Sequence, residues 1–216
     1  MSSSIPRAEL VSWLNHFLKI DDYPDSSNNG LQIEGSEIIT RLAVSVDSSL
    51  HTFEQAIESG AQMLITHHGL FWGKPILLVG AHAKRVRTAL EGNLNLYTAH
   101  LPLDAHPEVG NNIMMARALG LERIEPFGSA SGSVKGKTIG FMGYLPFPLE
   151  ITDFADRIQK LTGETCLVHV GGSRIVEKVG IISGDASGYM LEAKKHGLDT
   201  FITGEPRHAT YHDSFE

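Results

Sequence analysis

The chain has 216 residues, 42% of them apolar, and a formal net charge of -7 from 18 basic and 25 acidic side chains. That is enough apolar content for a packed core, and the acidic balance excludes a general nucleic-acid surface, which needs clustered Lys and Arg. A single cysteine excludes an intrachain disulfide and fits a cytoplasmic location, no segment is apolar for long enough to cross a bilayer, and MSSSIPRAEL lacks a signal-peptide apolar region.

In chain order, SIPRAELVSWLNHFLKI predicts a helix capped by Ser4, with Leu10, Leu14, Phe17 and Leu18 on one apolar stripe. A polar, turn-rich loop follows over DDYPDSSNNGLQIEG. Residues 41–46 read as strand, 49–59 as helix ended by Gly60, and 63–66 as strand. A helix near 81–91, a strand over 93–99 and a short helix over 111–120 come next. PFGSASGSVKGK, residues 126–137, reads as a linker between a first lobe at 1–125 and a second at 126–216. Beyond it, TIGFMGYL predicts strand, EITDFADRIQKLTG helix, TCLVHV strand, KVGIIS strand, YMLEAKKHG helix and DTFIT strand. Strands alternating with helices indicate an α/β fold with mixed, mostly parallel sheets.

The chain also repeats itself. RLAVSVDSSLHTFEQAIESGAQMLITHH (41–68) lies over KVGIISGDASGYMLEAKKHGLDTFITGE (178–205) without a gap, at a constant offset of 137. Ala56 falls on Ala193, Gly60 on Gly197, and His68 on Glu205. The expectation is two related α/β lobes with pseudo-two-fold symmetry. The repeat extends further in the first lobe. Counterparts of the strand 93–99, of His100 and of Asp104 would fall beyond residue 216, so the second lobe is expected to be incomplete and a metal site in this chain under-occupied.

Of 11 histidines, two stand side by side at a strand end, His67 and His68. Sites in open α/β sheets form beyond the carboxyl ends of strands. His100, Asp104 and His106 follow one such strand, Glu205, His208 and His212 another, and Asp47 a third. Side chains of adjacent strand residues point to opposite faces, so His67 and His68 share an ion only if the chain turns at Gly69; otherwise they serve two ions. Nitrogen and oxygen ligands without thiolate suit Zn, Mn, Fe or Ni.

NNGLQIEG (28–35), LITHHGLFW (64–72), HLPLDAHPEVGNN (100–112) and FITGE (201–205) together resemble the Nif-three-like family, often labelled GTP cyclohydrolase I type 2 homologs or dinuclear metal centre hexameric proteins. The resemblance implies that His67, His68 and Asp104 bind a pair of divalent metal ions, and that Glu205 and His212 line the same cavity. It also implies a toroidal homo-hexamer. The family's late H-x-A-T-E motif is absent from this sequence. Two functions fit: a metal-dependent hydrolase acting on a nucleotide or other phosphorylated small molecule, with His100 as acid-base residue and Asp47 as a further cavity-lining group; or a non-catalytic metal-binding ring that scaffolds or regulates partners.

Overall fold

A computed structural model describes residues 4–129 and 136–216 and divides them into two compact units, Met1–Leu103 and Asp104–Glu216. In the first unit the elements run β1 (Ile5–Pro6), α1 (Arg7–Leu18), β2 (Gly30–Ile33), β3 (Ile38–Ile39), β4 (Leu42–Asp47), α2 (Leu50–Glu58), β5 (Met63–His68), α3 (Gly80–Glu91) and β6 (Asn95–Thr98). The short helix α4 (Leu101–Asp104) ends on the first residue of the second unit.

The first unit is built on strand alternation. Its sheet has the order β2-β6-β5-β4, parallel at β4–β5 and β5–β6 and antiparallel at β2–β6. Neighbouring residues on β5 and β6 point to opposite faces. Leu64 and Leu96 therefore join Phe53 and Ala56 of α2 and Val86 and Ala89 of α3, while Met63 and Tyr97 join Leu10, Leu14 and Leu18 of α1. A sheet buried on both faces needs the near-continuous apolar runs that MLIT and NLNLYTA supply.

Helix α1 starts later than its sequence suggests. Pro6 is its N-cap and makes no side-chain cap bond. Ile5–Pro6 instead pair antiparallel with Ile38–Ile39, and the Arg7 amide donates to the Glu37 carbonyl at 2.7 Å, so a strand ladder leads into the helix where a Ser4 cap is expected. The turn-rich loop also contains a strand, β2, which enters the ladder through Gly30 at φ 98°.

The second unit holds α5 (Asn111–Ala118), β7 (Glu122–Ser129), β8 (Thr138–Glu150), α6 (Ile151–Thr162), β9 (Ile175–Ile182), α7 (Met190–Lys195) and β10 (Thr200–Thr203). Its sheet order is β10-β9-β8-β7; only β9–β10 is parallel. The mostly parallel expectation thus holds for the first sheet and fails for the second, where β7 and β8 add by antiparallel pairing. The compact units part at Leu103/Asp104, whereas the expected linker begins inside β7; its residues 130–135 lie outside the described residues. TCLVHV is no strand: Leu167, Val168 and Val170 are exposed, and the run lines a cavity of about 970 Å³ with Ile151, Phe154, Ile158 and Ile202. Among the described residues no helix is long and apolar enough to cross a membrane.

The repeat is visible in the pairing register. In the first unit Leu42 pairs with Met63, Ala43 with Leu64, Val44 with Ile65 and Ser45 with Thr66. In the second, Val179 pairs with Thr200, Gly180 with Phe201, Ile181 with Ile202 and Ile182 with Thr203. Each pair is the other shifted by 137. The helix exits match as well: Ala61 N donates to Ala56 O and Leu198 N to Ala193 O, both at 3.0 Å. Gly60 and Gly197 sit at φ 75° and 65° after their helices. A Cβ at Gly60 would meet only the Arg41 guanidinium at 3.8 Å, and one at Gly197 would meet nothing within 4 Å. Replacement by alanine therefore costs backbone strain alone. Gly60→Ala and Gly197→Ala should each lower stability by about 1 kcal/mol, read as a shift in the urea midpoint with unchanged slope. A neutral effect at either position would mean that the turn tolerates another backbone conformation.

Candidate metal centre

His67 and His68 close β5, and the chain leaves the sheet at once. Gly69 is glycine because of space rather than dihedral angle: a Cβ there would overlap the Gln32 carboxamide and the Thr98 hydroxyl. Both neighbours are fixed. Gln32 Oε1 accepts from the amides of Leu70 (2.8 Å) and Phe71 (3.3 Å), and Gln32 Nε2 donates to Asn28 O at 2.7 Å. The buried hydroxyls of Thr98 and Thr66 lie 3.1 Å apart. Trp72 Nε1 donates back to Gly69 O at 2.9 Å.

The two histidines escape strand alternation by leaning on different neighbours. His67 Nδ1 lies 3.1 Å from the Ala99 carbonyl, just past the end of β6, and His68 Nδ1 lies 2.7 Å from Asp47 Oδ1 at the end of β4. Their ring centroids are 4.6 Å apart. His100 joins them, its centroid 4.9 Å from His67 and 5.6 Å from His68. One ring nitrogen from each of the three lies within 4.8 Å of the other two, close enough to share one ion. The rings of Trp72 and His100 are nearly perpendicular, their centroids 5.1 Å apart.

Asp25 is the residue that sequence reasoning misses. Its side chain is only 3% exposed, and its two oxygens lie 2.9 and 3.0 Å from His100 Nδ1. It also accepts from Asn29 Nδ2 and from the amides of Ser27 and Leu101, each at 3.0 Å. Burial alone would raise the Asp25 pKa, but the hydrogen bonds from His100, Asn29, Ser27 and Leu101 outweigh it and hold the carboxyl at about 2. Asn29 completes the clamp by accepting from the His100 amide at 2.8 Å. The one local signal is D-x-S at Asp25–Ser27, an Asx turn in which the Ser27 amide donates to the Asp25 carboxylate.

Each Nδ1 in the cluster thus faces an oxygen of a carbonyl or carboxylate. Such oxygens only accept, so each Nδ1 carries the hydrogen, and in the neutral ring the lone pair lies on Nε2. Metal-ligating histidines are held in this way. The donor set fits a divalent transition metal.

The other expected residues belong to the second unit. Asp104 is buried, and its Oδ1 accepts from Asn111 Nδ2 at 2.8 Å and Ser183 Oγ at 3.0 Å. Buried His106 turns its Nδ1 to the Glu108 and Val109 amides at 3.2 and 3.3 Å, a structural use. Glu205 is exposed, its amide donating to Gly184 O at 2.9 Å. His212 is exposed and packs its ring 5.3 Å from Tyr211.

A family model described as Duf34/NIF3 (NGG1p interacting factor 3) matches residues 5–216. A protein from Deinococcus radiodurans named GTP cyclohydrolase 1 type 2 homolog is 58% identical over 98% of this chain and 79% of its own length. One of the same name from Pyrococcus abyssi is 41% identical over 95% of this chain and 80% of its own. The crystal structure of TTHA1606 from Thermus thermophilus superposes with a TM-score of 0.89 at 41% identity, covering 98% of this chain and 82% of that one.

The crowding at Gly69 gives a direct test. Gly69→Ala should lower stability by about 1 to 3 kcal/mol, as expected for overpacking a fixed site, and should weaken divalent-metal binding in the same protein. Wild-type urea stability and metal affinity in this variant would contradict the packing described.

Proposed function

Because the chain belongs to the Duf34/NIF3 family, we propose that it is a metal-dependent hydrolase acting on a nucleotide or another phosphorylated small molecule. The observation that carries this is the cluster of His67, His68 and His100 with all three Nδ1 atoms turned to oxygen acceptors. These residues would hold a divalent ion, which supplies Lewis acidity toward a phosphoryl or ring-carbon centre. His100, which the sequence suggests as an acid-base residue, is assigned here as the third ligand, since its ring stands within reach of the same ion. The resemblance adds Asp104 as a carboxylate ligand and implies a second ion; Zn, Fe, Mn and Ni all suit this donor chemistry. Glu205 and His212 enter on the resemblance alone.

The chain's own residues contribute orientation and a stacking surface. Asp47, the Ala99 carbonyl and Asp25 set the three rings, and Trp72 offers an aromatic face beside them. A planar base is the kind of group such a face binds. We further propose a cytoplasmic protein assembled as a ring-shaped homo-hexamer. The exposed apolar residues Leu42, Val44 (79% exposed) and Val46 on the edge strand β4 support self-association.

Two measurements test the reading. Purine nucleotides and phosphate esters are screened with each of the four metals added; turnover is expected with at least one, lost in His68→Ala. No turnover at full metal loading would instead favour the non-catalytic ring. Metal affinity should also fall as the pH is lowered, because imidazole binds a metal ion only in its neutral form. Affinity flat from about pH 8 to 5 would exclude histidine ligation.

A further inference from the structure

We propose that Asp25 is a positioning residue of the metal centre: it fixes the His100 ring in the Nδ1–H tautomer and so places the ligating lone pair on Nε2. The inference rests on the metal reading above only for its consequence; the tautomer itself follows from geometry.

Asp25 lies far from His100 in sequence, and its side chain is almost wholly buried, yet it turns its acceptors to the stretch that carries the ring. One carboxylate takes the His100 Nδ1–H, the Leu101 amide, the Ser27 amide and the Asn29 carboxamide. Asn29 in turn accepts from the His100 amide. The backbone at 100–101 and the imidazole are therefore held by the same short loop, 25–29. The contact to Nδ1 is the one with chemical meaning. A carboxylate beside Nδ1 makes Nδ1–H the favoured tautomer and leaves the Nε2 lone pair free to ligate. His68 has a parallel arrangement with Asp47, but there both partners are substantially exposed, at 42% and 69%. Solvent can replace that carboxylate more readily than it can replace Asp25.

Replacing Asp25 by asparagine keeps the side-chain shape but turns one oxygen into an NH2 that can donate to Nδ1; the same NH2 also meets the Ser27 amide, or the Leu101 amide and the Asn29 carboxamide, so the tautomer and not stability is the readout. His100 then moves its hydrogen to Nε2, the nitrogen that would face the ion. The same exchange in the Ser-His-Asp hydrolases places the wrong tautomer in an intact site.

The experiment records two-bond 1H–15N correlations of the imidazoles in metal-free protein at about pH 8, where neutral rings dominate, for wild type and Asp25→Asn, followed by Zn2+ titration against a competing chelator. Wild-type His100 should show a protonated Nδ1 and an unprotonated Nε2. Asp25→Asn should reverse this, keep a cooperative thermal transition and bind Zn2+ about 10- to 100-fold more weakly. An Nε2–H tautomer in the wild type, or wild-type Zn2+ affinity in a folded Asp25→Asn, would overturn the proposal. If the variant does not fold, the wild-type tautomer alone decides. Should the wild type bind no divalent ion, the metal reading fails, while the tautomer spectrum still tests what Asp25 does to His100.

Discussion

Two adjacent residues of a β-strand cannot reach one point while the strand lasts. The first unit resolves this at the end of β5 by giving each histidine a different oxygen to lean on. The Ala99 carbonyl, just past β6, takes His67 and Asp47 at the end of β4 takes His68. Both acceptors sit at strand ends because the three strands are parallel and in register, so their carboxyl ends lie together. The Thr66–Thr98 hydroxyl contact locks that register just beneath the rings.

What surrounds the cluster serves the same end. Asn28, Asn29 and Gln32 belong to one short stretch around β2, and each ties a different part of the centre. Asn28 pairs with the Phe71 carbonyl, Asn29 with the His100 amide, and Gln32 with the turn at Leu70–Phe71. Gly30 lets the chain pass from this clamp into the sheet edge. The cost of ordering such a polar loop is offset by side-chain contacts to backbone amides just beyond the strand ends, at Leu70, Phe71, His100 and Leu101.

Much of this was legible in the sequence. Short apolar runs marked β4, β5, β6, β9 and β10, and the gapless offset of 137 reappears as a shared pairing register. The histidine pair and His100 were visible as strand-end polar groups. Three things were not. β2 lies in a polar, turn-rich stretch and β7 runs into the Gly- and Ser-rich PFGSASGSVKGK, and both owe their strand form to antiparallel partners, β6 and β8, that local pattern does not reveal. TCLVHV has the composition of a strand, but its apolar side chains are exposed and it has no ladder partner among the described residues. Asp25 is one of three acidic residues in a short loop, with Asp21 and Asp22, and only the tertiary fold selects which of them meets His100.

The proposed centre would hold one ion through the Nε2 atoms of three histidines. X-ray absorption at the metal edge, on protein loaded with one equivalent of Zn2+, tests it most directly. Multiple scattering from imidazole rings counts the histidines bound. Three imidazoles with nitrogen at about 2.0 to 2.1 Å are expected; a first shell of oxygens with one imidazole or none would contradict it.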